Sequence, residues 1–176
     1  MSAAIPKYPL AIKSFIAAGL LAISNLIFAA QQHDTLPGLL EFTEWQVPWA
    51  DSRPRDPYVA SDGKVWFVGQ VGDYVAKLDP KTGEMQKFDI PKAGPHTVIV
   101  DENGTPWYAG NKDQHIGKMH PETGDVTRID MPEGVNDPHT MAFSSDGYIW
   151  FTAQRSGKAG FIGRLDMANN EVVIIE

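Results

Sequence analysis

The 176-residue chain contains no cysteine, so it has no disulfide to brace it, and stability must come from packing. Basic residues are scarce as well: 15 lysines and arginines against 22 aspartates and glutamates leave a formal net charge of −7. A surface of that sign is repelled by phosphate backbones, which argues against nucleic acid as a partner. Phosphate-cradling glycine loops, nucleophile elbows and paired Cys or His metal spacings are also missing, and several enzyme classes go with them. Apolar residues run long only near the start. There Lys7 and Lys13 precede Phe15-Ile16-Ala17-Ala18-Gly19-Leu20-Leu21-Ala22-Ile23, and small residues follow at Ala29-Ala30. That is the layout of a secretory signal peptide over residues 1–30. The run continues through Leu26-Ile27-Phe28, nearly enough for a retained membrane anchor. Ser24-Asn25 interrupts it, however, and Ala29-Ala30-Gln31 offers a cut. A cleaved leader, a periplasmic or secreted location and no stable membrane span are therefore expected.

What the chain does have is repetition. Asp62-Gly63-Lys64-Val65-Trp66-Phe67, Asn103-Gly104-Thr105-Pro106-Trp107-Tyr108 and Asp146-Gly147-Tyr148-Ile149-Trp150-Phe151 share a turn dipeptide and a Trp-aromatic pair. Their tryptophans stand 41 and 43 residues apart. In all-β sequence that period marks propeller blades. Each repeat divides into four short strands at its turn residues, because Asp-Gly and Asn-Gly supply the positive φ that a hairpin needs. The predicted strands of the first repeat are 58–60, 65–68, 74–78 and 85–90. Those of the second are 96–100, 106–109, 115–119 and 126–131, and those of the third 139–143, 148–152, 161–165 and 172–175. The second strand of each repeat is apolar on both faces, as an inner strand with a sheet on either side requires. Its aromatic stripe reads as core.

The expected architecture is thus all-β: a partial propeller of three four-stranded blades, about 57–91, 95–132 and 138–176. One extra outer strand at 39–48 resembles the blade ends Met85–Pro91 and Val126–Pro132, and residues 31–38 read as a linker. A propeller closes with four or more blades, so three leave an open arc. The faces of the first and last blades would then be uncovered and open to self-association.

The first strand of each blade lines the channel, so equivalent positions on neighbouring blades converge near the axis. Alignment on the turn before each tryptophan places Tyr58, His96 and His139 in one ring. Asp56, Gly94 and Asp137 stand two residues before them. Two imidazoles and a carboxylate facing one cavity suit either a divalent ion or proton transfer near neutral pH. The competing structural reading is that these residues start the strands and fill the channel. Asp51, Arg53, Arg55 and Asp56 read as a solvated charged loop, and Arg155, Ser156, Gly157 and Lys158 as a loop. His115 and His120 point to opposite faces, and His120 takes the turn position held by Asp79 and Asp166.

Taken as a unit, Trp107-Tyr108-Ala109 through Ile116-Gly117-Lys118-Met119-His120-Pro121-Glu122-Thr123-Gly124 to Ile129 resembles the streptogramin B lyase (virginiamycin B lyase) family of propellers. Trp150-Phe151-Thr152 and Ile162-Gly163-Arg164-Leu165-Asp166 match its blade pattern closely, and the resemblance covers about residues 40–176. It implies a seven-bladed parent fold and a carbon–oxygen lyase that opens a cyclic depsipeptide at an ester by elimination, without consuming water. By position it implies His139 as the catalytic histidine, His96 as its partner and Asp137 as a ligand to magnesium. The family's second metal carboxylate ends its Trp-Phe-Thr-Glu motif. That place is Ala153 here, with Gly69 and Gly110 in the other blades. The ligand implied is a small molecule or cyclic peptide. The alternatives are a non-catalytic propeller that serves as a binding platform, and a metal-dependent lactone hydrolase, which would require more carboxylates.

Overall fold

In the computed structural model, residues 32–36, 40–154 and 160–175 are described. The predicted leader at 1–30 and the loop at 155–158 lie outside them. Three four-stranded antiparallel sheets carry the fold, as the repeat period predicts. Blade one is β3 (Pro54–Val59), β4 (Val65–Gly69), β5 (Tyr74–Leu78) and β6 (Met85–Asp89). Blade two is β7 (Val98–Val100), β8 (Pro106–Gly110), β9 (His115–Met119) and β10 (Val126–Asp130). Blade three is β11 (Pro138–Phe143), β12 (Tyr148–Ala153), β13 (Phe161–Asp166) and β14 (Val172–Ile175). In every blade the strands follow chain order from inside to outside, and β7 lies against both β3 and β11.

The turns form where the sequence placed them. Gly63, Gly104 and Gly147 adopt φ of 81°, 81° and 88°, values that strain any residue with a Cβ. At the outer turns Asp79 Oδ1 accepts the Lys81 N–H at 2.8 Å and Asp166 Oδ1 accepts that of Ala168 at 2.8 Å. His120 does the same job with Nδ1, accepting from Glu122 and Thr123 at 3.3 and 3.2 Å.

Blades adhere through the apolar faces of their strands. Trp66, Val68, Val75 and Phe88 meet Val98, Val100, Tyr108 and Met119, while Ile99, Trp107, Ala109 and Ile116 meet Met141, Ile149, Phe151 and Leu165. Full burial of such a side chain contributes about 1.5–3 kcal/mol. The equivalent tryptophans differ in their cover: Trp66 is 3% exposed and Trp107 0%, but Trp150 is 36%. Ile162, Val173 and Ile175 share that open face of blade three.

At the other end the expectation of an uncovered face is corrected. Half-buried Trp45, Val47 and Trp49 pack over Phe67, Tyr74, Ala76 and Leu78, with the Trp49 and Tyr74 rings 5.0 Å apart. The extra strand is β2 (Leu40–Glu44), which pairs with β1 (Gln32–Leu36) and not with a blade. Part of the segment read as a linker is therefore a strand. Its register runs from Leu36↔Leu40 to Gln32↔Glu44.

Candidate functional site

The inner strands each begin with a backbone kink. Arg53, Gly94 and Asp137 have φ of 51°, 49° and 51°, and each precedes a proline: Pro54, Pro95 or Pro138. Three equal departures into the left-handed region identify these as equivalent positions. The register agrees, since Pro54 pairs with Gly69 and Pro138 with Ala153. The residues after the prolines are thus the equivalent ring: Arg55, His96 and His139.

This corrects the sequence alignment. His96 and His139 precede their tryptophans by 11 residues, Tyr58 by only 8, so Tyr58 does not belong to their ring. It sits near the far end of its strand, where with Val100, Trp107, Lys118, Phe143 and Met167 it lines a concavity of about 680 Å³. Asp56 matches Thr97 and Thr140 and is brought to the histidines. A break in the β3–β4 register between Arg55 and Tyr58 admits the change of direction. Asp56 itself lies at φ 42°.

The two histidines do meet. Their ring centroids are 3.4 Å apart with planes inclined by 39°. His96 is the inner ring, 5% exposed, and His139 lies half-buried over it. The main chain fixes His96 twice: its N–H donates to Ala109 O at 2.9 Å, and just upstream Asp73 Oδ1 accepts the N–H groups of Ala93 and Gly94 at 2.9 and 2.7 Å.

Asp56 Oδ2 stands 3.1 Å from His96 Nδ1 and accepts the Thr97 hydroxyl at 2.8 Å. A carboxylate oxygen only accepts, so Nδ1 of His96 carries the proton and Nε2 the lone pair. His139 Nδ1 lies 3.0 Å from Thr140 Oγ1.

Burial pushes the His96 imidazole below its usual value, the charges of His139 and Arg55 push the same way, and Asp56 opposes them. His139 is lowered too, first by burial; Asp56 and Asp137 counter it and Arg55 reinforces it. Both rings are therefore neutral at neutral pH. Because they stack so closely, the pair accepts a single proton far more readily than two.

Arg55 was expected in a solvated loop but lies in β3. Its Nη1 donates to Gln70 Oε1 at 3.1 Å, and its Nε is 4.0 Å from Asp56 Oδ1. The sequence did contain the signal for it: Pro54-Arg55-Asp56, Pro95-His96-Thr97 and Pro138-His139-Thr140 align on their prolines.

Asp137 acts on His139 through its charge, and its carbonyl accepts the Gln154 N–H at 3.0 Å. Among the described residues no group of three or more His, Asp or Glu side chains is gathered to hold a metal ion. The Asp56 carboxylate is taken up by His96 and Thr97. Blades one and two have no room for the missing carboxylate, because a Cβ on Gly69 would stand 2.1 Å from the Tyr74 ring and one on Gly110 2.3 Å from the His115 ring. The described residues do not fit a divalent cation.

His115 belongs to a separate buried network. Its Nε2 is 3.1 Å from the Tyr108 hydroxyl and its Nδ1 2.9 Å from Arg128 Nη1. Burial lowers the His115 pKa and pushes that of Tyr108 up to about 12.

The model of the virginiamycin B lyase family matches residues 12–172. A crystal structure of a catalytically inactive virginiamycin B lyase from Staphylococcus aureus with quinupristin superposes with a TM-score of 0.69 at 20% identity, covering 77% of this chain and 45% of that one. A streptogramin B lyase structure gives 0.67 at 22% identity, with 77% and 44% covered. A gluconolactonase from Xanthomonas campestris gives 0.59 at 16% identity, with 70% and 46% covered. The chain spans less than half the length of these structures, and at such identities the likeness speaks for the fold. No curated protein sequence matches it.

Proposed function

The chain belongs to the virginiamycin B lyase family, and from that premise we propose that its stacked histidines open a cyclic depsipeptide at an ester by elimination. The observation that carries this is the contact of His96 and His139, 3.4 Å between ring centroids, with Asp56 bonded to the inner ring. His139 is the outer, more accessible ring and acts as the base. It takes the proton from the carbon α to a carbonyl. That C–H electron pair becomes the Cα=Cβ bond, the Cβ–O bond breaks, and the ester oxygen departs as a carboxylate. The proton stays on His139 until solvent removes it, and Asp56 favours that charged state.

His96 supplies the flat neutral surface on which His139 rests, its tautomer held by Asp56. Magnesium, which the resemblance attaches to this chemistry, has Asp137 as its one carboxylate candidate; the donors do not fit, and no step is drawn through it. The proposed setting is periplasmic or secreted, on the strength of the sequence pattern at 1–30.

The test is incubation of the purified protein with a type B streptogramin, followed by mass spectrometry. A ring-opened product of unchanged mass supports elimination, and a gain of one water makes the protein a hydrolase. Undiminished turnover by His139→Ala removes the catalytic assignment, and absence of turnover leaves a binding platform.

A further inference from the structure

Arg55 has no task in the reaction as drawn, yet it occupies the position in blade one that the two histidines occupy in blades two and three. It is held there from two sides, by Gln70 at 3.1 Å and beside Asp56 at 4.0 Å, and its side chain is 26% exposed. Gln70, at 4% exposure, is a fixed support. One of the five N–H donors of a guanidinium is spent on Gln70. A planar, permanently charged fork with donors to spare is the side chain best matched to a carboxylate. Among the described residues the same rim gathers no group of three or more His, Asp or Glu side chains to hold a divalent cation. What it has is a cation already built into the chain.

We propose that Arg55 is the anion subsite of this centre, receiving the carboxylate released when the ester oxygen leaves, in the place where a metal ion would otherwise neutralise it. This rests on the elimination reading for the identity of the anion, but not for the existence of the subsite. No oxidant or further reactant is involved: the carboxylate leaves with the Cβ–O electron pair and exchanges its ester bond for an ion pair with the guanidinium. The charge of Arg55 also bears on both imidazoles.

The experiment follows the side-chain nitrogen resonances of His96 and His139 in the ¹⁵N-labelled full chain. Sodium acetate is titrated at constant pH and ionic strength, with sodium chloride as the control and magnesium chloride in a separate arm. Acetate is expected to move both imidazoles saturably while chloride and magnesium leave them in place. In Arg55→Gln the acetate affinity falls by about ten-fold or more, and Arg55→Lys, which keeps the charge without the fork, lies between. Backbone spectra of both variants verify that they fold.

The proposal is overturned if Arg55→Gln binds acetate like the wild type, or if the imidazoles answer to magnesium and to acetate only in its presence. Failure of ring opening with Arg55-dependent acetate binding intact would sink the elimination reading alone.

Discussion

Replacement of Asp56 by alanine tests the site where fold and chemistry are most tightly joined. The carboxylate accepts from His96 Nδ1 at 3.1 Å and from Thr97 Oγ1 at 2.8 Å, and both donors lie on residues no more than 6% exposed. Truncation strands two buried donors, each costing about 1–3 kcal/mol when left unpaired. The Asp56 side chain is itself 37% exposed, so water refills part of the gap. The expected loss is therefore at the low end, about 1–3 kcal/mol in total. For a chain of this size that lowers Tm by about 2–12 °C.

Asp56→Asn, whose amide oxygen still accepts, should lose about half as much. Both imidazole pKa values fall further in either variant, because the charge that opposed their depression is gone. Ring opening, in which neutral His139 takes up a proton and Asp56 stabilises the charge that results, slows by about 10- to 100-fold. Urea titration followed by tryptophan fluorescence gives the stability, and histidine side-chain NMR gives the pKa values. An Asp56→Ala variant within about 0.5 kcal/mol of wild type, with its imidazole resonances unmoved, would refute the role assigned to Asp56.

Trp107→Ala should cost about 3–5 kcal/mol and Trp150→Ala under about 1 kcal/mol, because the first is sealed between blades and the second faces solvent; equal losses in urea titration would contradict the blade stacking. Stability should decline as pH falls below about 6.5. His96, His115 and His139 have folded pKa values below their unfolded ones, so the unfolded chain binds more protons in that window and the stability present above it is lost as pH drops through the folded values. A flat or opposite trend between pH 7.5 and 5.5 would count against the burial of these rings. Through the open face of blade three the protein is expected to self-associate in sedimentation, and Ile162→Lys to weaken this. A monodisperse wild-type monomer with a cooperative melt would show that the face needs no cover.

The histidine pair was legible before any coordinates, because a repeat carries its own alignment: His96-Thr97 and His139-Thr140 spell the same word at the same distance from their tryptophans. Tyr58 was misplaced because blade one spells that word differently, as Arg55-Asp56, and counting back from the turn then drifted by three residues. The prolines would have prevented the slip. The αL kink before each of them and the register break in β3 turn that strand to face blade two, and such shifts leave little trace in residue types.

Local chemistry determined the period, the turns, the four strands of each blade and the aromatic core, since turn dipeptides and runs of apolar residues act over a few neighbours. Tertiary structure alone decided what lies against what. It set Asp56 of one blade on His96 of the next, laid Trp45, Val47 and Trp49 over blade one, and left Trp150 in solvent while its two counterparts are sealed. Those outcomes depend on groups some 20 to 40 positions away along the chain, or on whether a neighbouring sheet lies against the face, and neither is written in the residues it affects.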